Sequence, residues 1–253
     1  MSATLTSATI APYAGARILK RRDTPFSPLT SWATQPHSIF WADDPSWSNP
    51  GDGNAVSTWR NAGSNGTAAV QAVALLQPTF RAAGTGLNGH AGVQGDGTAD
   101  TLATAAFTSI PQPYSIVAVG SISSAAAAAK FLYDSISGAN EAAFYVATAG
   151  TKFSCYAGVG FDTDVGVDTN VHMSRVYWNG ASSAMAVDET SKAGNAGASA
   201  ITGITIGSAA GGAAGFNAGT IGLLILYPGQ ITADASWAAF KVWCAAYYGL
   251  TLS

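Results

Sequence analysis

The densest oxygen chemistry in the chain lies in GVQGDGTADTL (92–102), where Asp96 and Asp100 stand among glycines and threonines. Such a run could cradle phosphate, hold calcium or turn the chain between two strands. A phosphate-cradling loop needs the order Gly-x4-Gly-Lys-Ser/Thr, and this stretch has no lysine. An EF-hand loop needs acidic side chains at alternating positions and a closing glutamate. Asp96 and Asp100 have neither arrangement around them. A β-roll calcium repeat must recur, and this stretch occurs once. The reading is a turn, with the aspartates accepting backbone N–H groups. The alternative is an oxygen-rich calcium site at a sheet edge, to which Asp162, Asp164 and Asp168 of DTDVGVD would add ligands.

Glycosidic cleavage usually takes two carboxylates on either side of the bond. The glutamates are Glu141 and Glu189, and neither has an acidic partner two or four residues away on the same strand face. Asp188 adjoins Glu189, but adjacent strand residues point to opposite faces. Asp162 and Asp164 would share a face, yet GFDTDVGVD reads as a turn. His37, His90 and His172 lie in no recognisable triad motif, and no GxSxG occurs. The expectation is a protein that is not an enzyme, with no cofactor and no metal. Binding is the better reading, because saccharides stack on flat apolar faces while Asn, Asp and backbone groups orient their hydroxyls. Trp47 in DPSWSNPGDGN sits in a polar, turn-rich loop beside Asn49, Asp52 and Asn54. These four are the candidate carbohydrate-binding residues; the alternative for Trp47 is a cap on the edge of the fold.

The elements that must position these residues are read from the rest of the chain. Its 253 residues suit one large all-β domain, and 48% hydrophobic content suffices for a sizeable core. Charged residues make up 10%, against roughly 25% in typical soluble domains. Solubility then rests on Ser, Thr, Asn and Gly, or surface is hidden in an assembly, and a homo-oligomer is expected. A net charge of −3 gives no general pull toward nucleic acid. No apolar run approaches the roughly 18–20 residues of a membrane span, and the N-terminus lacks the pattern of a signal peptide. Cys155 and Cys244 have no framework or CxxC spacing and are expected as free, buried thiols.

From Ile39 onward, short apolar runs alternate with turn formers. YSIVAVGSI (114–122), EAAFYVATA (141–149), KFSCYAGVG (152–160), HMSRVYWNG (172–180), SAMAVDET (183–190), GITIGSA (203–209) and TIGLLILY (220–227) each have strand length. Asn179-Gly180 marks a hairpin. Spacing of this kind predicts an antiparallel sandwich or barrel. ITADASWAAFKVWCAAYYGL predicts one helix, capped by Thr232, with Asp234 at its positive end and Gly249 stopping it. Its stripe of Trp237, Phe240, Cys244 and Tyr247 would pack on a sheet. Residues 1–37 differ: Arg17, Lys20, Arg21 and Arg22 cluster in RILKRR, and Pro25, Pro28 and Pro36 disfavour regular structure. They read as an arm and linker, the cluster being either a solvated surface or a docking site for an acidic partner.

IFWADDPSW, AVSTWRNAGSNGTAAVQ and QPTFRAAGTGLNGHAGVQGDGTADTL together resemble the opening of concanavalin A-like domains of the laminin G-like type. FNAGTIGLLILYPGQITADASWAAFKVWCAAYYGL is similar to that family's last strand and closing helix. The resemblance spans roughly residues 38–252, and its two ends carry nearly all of its specificity. The chain departs from the pattern at Gly222 and Leu223, where an acidic residue commonly follows the isoleucine of the last strand, and at Ala235, where a capping glutamate is common. The resemblance implies a two-sheet antiparallel jelly-roll sandwich over 38–253, with one C-terminal helix and an N-terminal arm over 1–37.

A charge-poor sandwich with a tether also resembles carbohydrate-binding or decoration modules of tailed phages and phage-like particles. That likeness implies a virion-surface spike, fibre or decoration subunit, binding host cell-surface polysaccharide and docking on other virion proteins through Arg17, Lys20, Arg21 and Arg22. The alternatives are a glycan-degrading hydrolase or depolymerase, and a structural subunit without ligand. Neither nucleic-acid binding nor membrane insertion is expected.

Overall fold

A computed structural model describes residues 26–122 and 128–252, so the basic cluster of Arg17, Lys20, Arg21 and Arg22 lies outside the described residues. In chain order the strands are β1 (Ser38–Trp41), β2 (Thr58–Trp59), β3 (Ala69–Val70), β4 (Thr79–Arg81), β5 (Gly92–Gln94), β6 (Leu102–Thr104), β7 (Tyr114–Gly120) and β8 (Lys130–Asp134). There follow β9 (Ala143–Val146), β10 (Lys152–Tyr156), β11 (Gly160–Gly166), β12 (His172–Trp178), β13 (Ser183–Val187), β14 (Thr190–Gly194), β15 (Thr205–Ile206) and β16 (Thr220–Pro228), and then the helix α1 (Trp237–Tyr248). They form two eight-stranded sheets, the first ordered β14-β13-β12-β7-β16-β5-β4 with β1 also on β16, the second β11-β10-β9-β8-β15-β6-β3-β2. The expected two-sheet antiparallel sandwich with one C-terminal helix is what the chain forms. Each of the seven runs read as strands contains one.

Two hydrophobic clusters explain the two kinds of strand. Between the sheets lie Phe40, Trp59, Leu102, Tyr114, Tyr133, Phe144, Phe153, Trp178 and Leu224, all essentially without solvent contact. On the far side of the first sheet, α1 covers Ile39, Val117, Val119, Leu223 and Ile225 with Trp237, Phe240, Cys244 and Tyr248. Strands β7 and β16 are therefore buried on both faces, which their unbroken apolar runs satisfy. Strands β9 and β10 turn Phe144, Val146, Phe153 and Cys155 into the core and leave Tyr145, Lys152 and Tyr156 half-buried on the outer face. Cys155 and Cys244 are unpaired, one in each cluster.

Gly222, where the sequence departs from the resembled family, faces α1. A β-carbon there would stand 3.0 Å from both Leu87 Cδ2 and Tyr248 Cε1, so its absence lets the helix seat closely. Gly249 ends the helix as expected, at φ 67°. The start of the helix differs from expectation. Thr232 lies in a separate 3-10 turn, Ile231–Ala233, and α1 begins at Trp237 behind Ser236. Tyr248 rather than Tyr247 completes the buried stripe. Asp234 accepts bonds from the backbone N–H of Thr34 (3.0 Å) and Ser236 (2.8 Å) and from the Tyr227 hydroxyl (2.9 Å). It ties the incoming chain to the sheet instead of serving the helix dipole. The described part of the expected arm is packed: Trp32 is buried on α1, its ring 5.1 Å from Phe240, with Phe26 edge-on at 5.3 Å.

Candidate functional site

Between β5 and β6, Asp96 accepts the backbone N–H groups of Thr98 (2.8 Å), Ala99 (2.9 Å) and Asp100 (3.0 Å). Burial pushes its carboxyl up, but these bonds prevail and hold it well below the usual carboxylate range. Asp100 is buried behind it and pushed up to about 6 by burial and by the Asp96 charge. The stretch is a turn that carries the chain from one sheet to the other, as read from the sequence.

The four candidate carbohydrate residues are only partly brought together. Trp47, Asn49 and Asp52 border a groove of about 330 Å³ that also contains Asp43 and Asp44; Asn54 does not line it. Trp47 is 8% exposed and belongs to the inter-sheet cluster. One ring face stacks on Trp59 (5.9 Å, 28°), Phe80 meets it edge-on, and its Nε1 donates to the Thr58 carbonyl at 3.0 Å. The loop is polar because it turns, while the indole beneath it closes the sandwich. Asn49 accepts from Gly51 N–H, Asn54 donates to the Pro50 carbonyl, and Asp52 accepts from Ala82 N–H and the Thr85 hydroxyl. The polar side chains are spent on shaping the loops.

A larger groove, about 490 Å³, lies on the uncovered face of the second sheet. Its floor is aromatic: Phe131 on β8, Tyr145 on β9 and Tyr156 on β10. Alternation on β9 turns Phe144 and Val146 inward and Tyr145 outward, and on β10 it turns Phe153 and Cys155 inward and Tyr156 outward. Phe131 pairs with Tyr145 in register, and their rings stack at 4.9 Å and 13°. Across the same rung Tyr145 pairs with Ser154, and Ser154 with Asp162, whose carboxylate accepts the Ser154 hydroxyl at 2.6 Å. GFDTDVG is therefore an edge strand, β11, and not the expected turn.

A bulge in β8 decides which residues reach this groove. The register with β9 shifts between Phe131 and Tyr133. Phe131 faces out, Tyr133 faces the core, and Asp134 points to the outer side again. Asp134 is buried, yet it lines the groove and joins its walls. One oxygen accepts from Ser135 N–H (2.6 Å) and Ala142 N–H (3.3 Å), and the other from Ala210 N–H (3.0 Å). Burial pushes its carboxyl up to about 6, over the opposing pull of these three donors, and the Glu141 charge adds to the rise. Glu141 stands at the groove half-buried, from the loop joining β8 to β9. Sequence reading missed this site. The alternation of AFYV and KFSCY could have found Tyr145 and Tyr156; nothing local announced the bulge that brings in Phe131 and Asp134.

No family model matches the chain, and no curated protein matches it. Among solved structures it is similar to Trypanosoma rangeli sialidase in complex with the inhibitor DANA, at 12% identity and TM-score 0.51 over 81% of this chain and 32% of that one. It is similar to a GH54 α-L-arabinofuranosidase soaked with 4-nitrophenyl α-L-arabinofuranoside, at 13% identity and TM-score 0.52 over 84% of this chain and 60% of that one. It is also similar to the Botulinum neurotoxin serotype D binding domain, at 9% identity and TM-score 0.50 over 88% of this chain and 53% of that one. The chain thus spans about a third to three fifths of the length of these solved chains. At such identities the likeness is one of fold, a β-sandwich consistent with a jelly roll. It shows neither the concanavalin A-like family nor a phage setting.

The expectation that the chain is not an enzyme is overturned. Its sandwich is one that a sialidase and an arabinofuranosidase also contain. The ground for setting hydrolysis aside also fails, because Glu141 finds a second carboxylate, Asp134, across the groove's own loop and not along one strand.

Proposed function

We propose that this is a glycan-acting domain whose saccharide lies in the groove over Phe131, Tyr145 and Tyr156. The observation that carries this reading is the stacked pair Phe131–Tyr145, with Tyr156 beside it, forming the floor of a cavity large enough for a sugar ring. The half-buried rings leave apolar surface at the groove that a sugar's C–H face can cover. Asp134 and Glu141 supply acceptors at the walls for hydroxyl groups. Tyr145→Ala and Tyr156→Ala should each weaken glycan binding about tenfold or more while leaving the thermal midpoint within a few degrees. Unchanged binding in both variants, measured by glycan array and affinity electrophoresis, would place the saccharide elsewhere.

Hydrolysis is the second reading, favoured by the two carboxylates in one groove. A carboxyl held near 6 keeps a protonated fraction at neutral pH, as a general acid requires. Chain-length analysis after incubation with polysaccharide separates cleavage from binding, and Glu141→Gln should abolish any cleavage found. The setting we propose is a virion surface, with Arg17, Lys20, Arg21 and Arg22 docking on an acidic partner. Its support is the sequence resemblance alone, and detection of the protein on purified particles tests it.

A further inference from the structure

We infer that the groove selects sugars carrying a free ammonium group, that is, amino sugars whose nitrogen is not acylated, over their N-acylated and anionic counterparts. This rests on the glycan-binding reading above. The first observation is charge. Asp134 and Glu141 both line the groove, and none of its lining residues is basic. The lysines of the adjacent strands are engaged elsewhere: Lys130 Nζ donates to the Gly97 carbonyl (3.1 Å) and Lys152 Nζ to the Asp164 carbonyl (2.8 Å).

The second observation is satisfaction. Asp134 has its oxygens occupied by three backbone N–H groups, whereas Glu141 has no hydrogen-bond or ion-pair partner among the described residues. A half-buried carboxylate without a counter-charge is a ready acceptor for a charged N–H donor. The third is the floor. The rings of Phe131, Tyr145 and Tyr156 give an apolar floor on which the C–H face of the same sugar can rest. A carboxylated sugar meets the reverse: two like charges, on Asp134 and Glu141, whose carboxylates accept and do not donate.

The test uses the full chain and four probes of matched length: glucosamine oligomers, N-acetylglucosamine oligomers, neutral glucan oligomers and polyuronate oligomers, titrated by calorimetry at low and high salt. Glucosamine oligomers should bind about tenfold tighter than the N-acetylated ones, the equivalent of one charge-assisted contact, and lose much of that advantage at high salt. Polyuronate should not bind. Glu141→Gln, which keeps an acceptor oxygen and loses the charge, should bring the two amino-sugar series within about twofold while the thermal midpoint stays within a few degrees. Equal affinity for free and acylated sugars in the parent protein, or tighter binding of polyuronate, would overturn the selectivity. Binding of no probe, together with silence of Tyr145→Ala on a broad glycan array, would instead sink the glycan reading on which it rests.

Discussion

At Asp134 a single carboxylate holds both walls of the groove, and its two oxygens are committed to three backbone N–H groups. An asparagine there keeps one acceptor oxygen and turns an NH2 group toward the remaining donor or donors. Asp134→Asn should therefore cost about 1–3 kcal/mol, measured by chemical denaturation. The deficit should be larger at pH 5 than at pH 8, because acidification relieves the buried charge of the aspartate and does nothing for the amide. An equal deficit at both pH values would mean that Asp134 is not held near 6. Glu141, by contrast, is free of such duties, so its substitution reads on the ligand and not on the fold.

Strand and helix packing carries its own expectation at the N-terminal edge. The segment from Phe26 to His37 lacks regular structure apart from a turn, yet Trp32 is buried against α1 and its Nε1 donates to the Pro28 carbonyl at 3.0 Å. Asp234 accepts Thr34 N–H and so fastens the segment to the element that precedes the helix. Trp32→Ala should destabilise the protein by about 3 kcal/mol, by loss of a buried aromatic and the cavity left behind. A chain starting at Ser38 should keep both sheets, since no strand lies before that residue among those described, but melt at a lower temperature. Circular dichroism melts of both variants check this; midpoints equal to the parent's would mean that the segment only lies against the helix.

For the whole molecule, three buried or paired groups set the direction of pH dependence. Asp134 and Asp100, both raised from 3.8 to about 6, bind protons more readily when folded, so stability rises as pH falls through 6 toward 4. His172 lies between Asp188 (2.6 Å) and Asp168 (2.8 Å), which raise it above 6.5. Its contribution is full below 6.5 and lost as pH climbs through the raised value. Asp96, Asp168 and Asp234 are lowered, and what they contribute is lost only below the ordinary carboxylate range. Between pH 8 and pH 5 the two aspartates and His172 agree in sign and outnumber His37, which burial holds below 6.5 and which opposes them. The thermal midpoint should therefore be higher at pH 5 than at pH 8, by roughly 2–4 °C for each kcal/mol gained. A midpoint that falls between pH 8 and pH 5 would contradict the assigned burial of these groups.

The sequence by itself determined the sandwich, the seven strand runs, the stop of the helix at Gly249 and the turn at Asp96, because each depends on neighbours within a few residues. Which polar loop covered a core side chain was beyond it: Trp47 sits among turn formers whether its indole points out or in, and only the packing of Trp59 and Phe80 decides. The groove was beyond it for a related reason. Phe131 and Asp134 share a side only because one bulge shifts the period of β8, and Glu141 meets Asp134 because a loop folds back seven residues later. Alternation along one strand is written in the order of residues; proximity between strands is written in register, which the tertiary structure alone fixes.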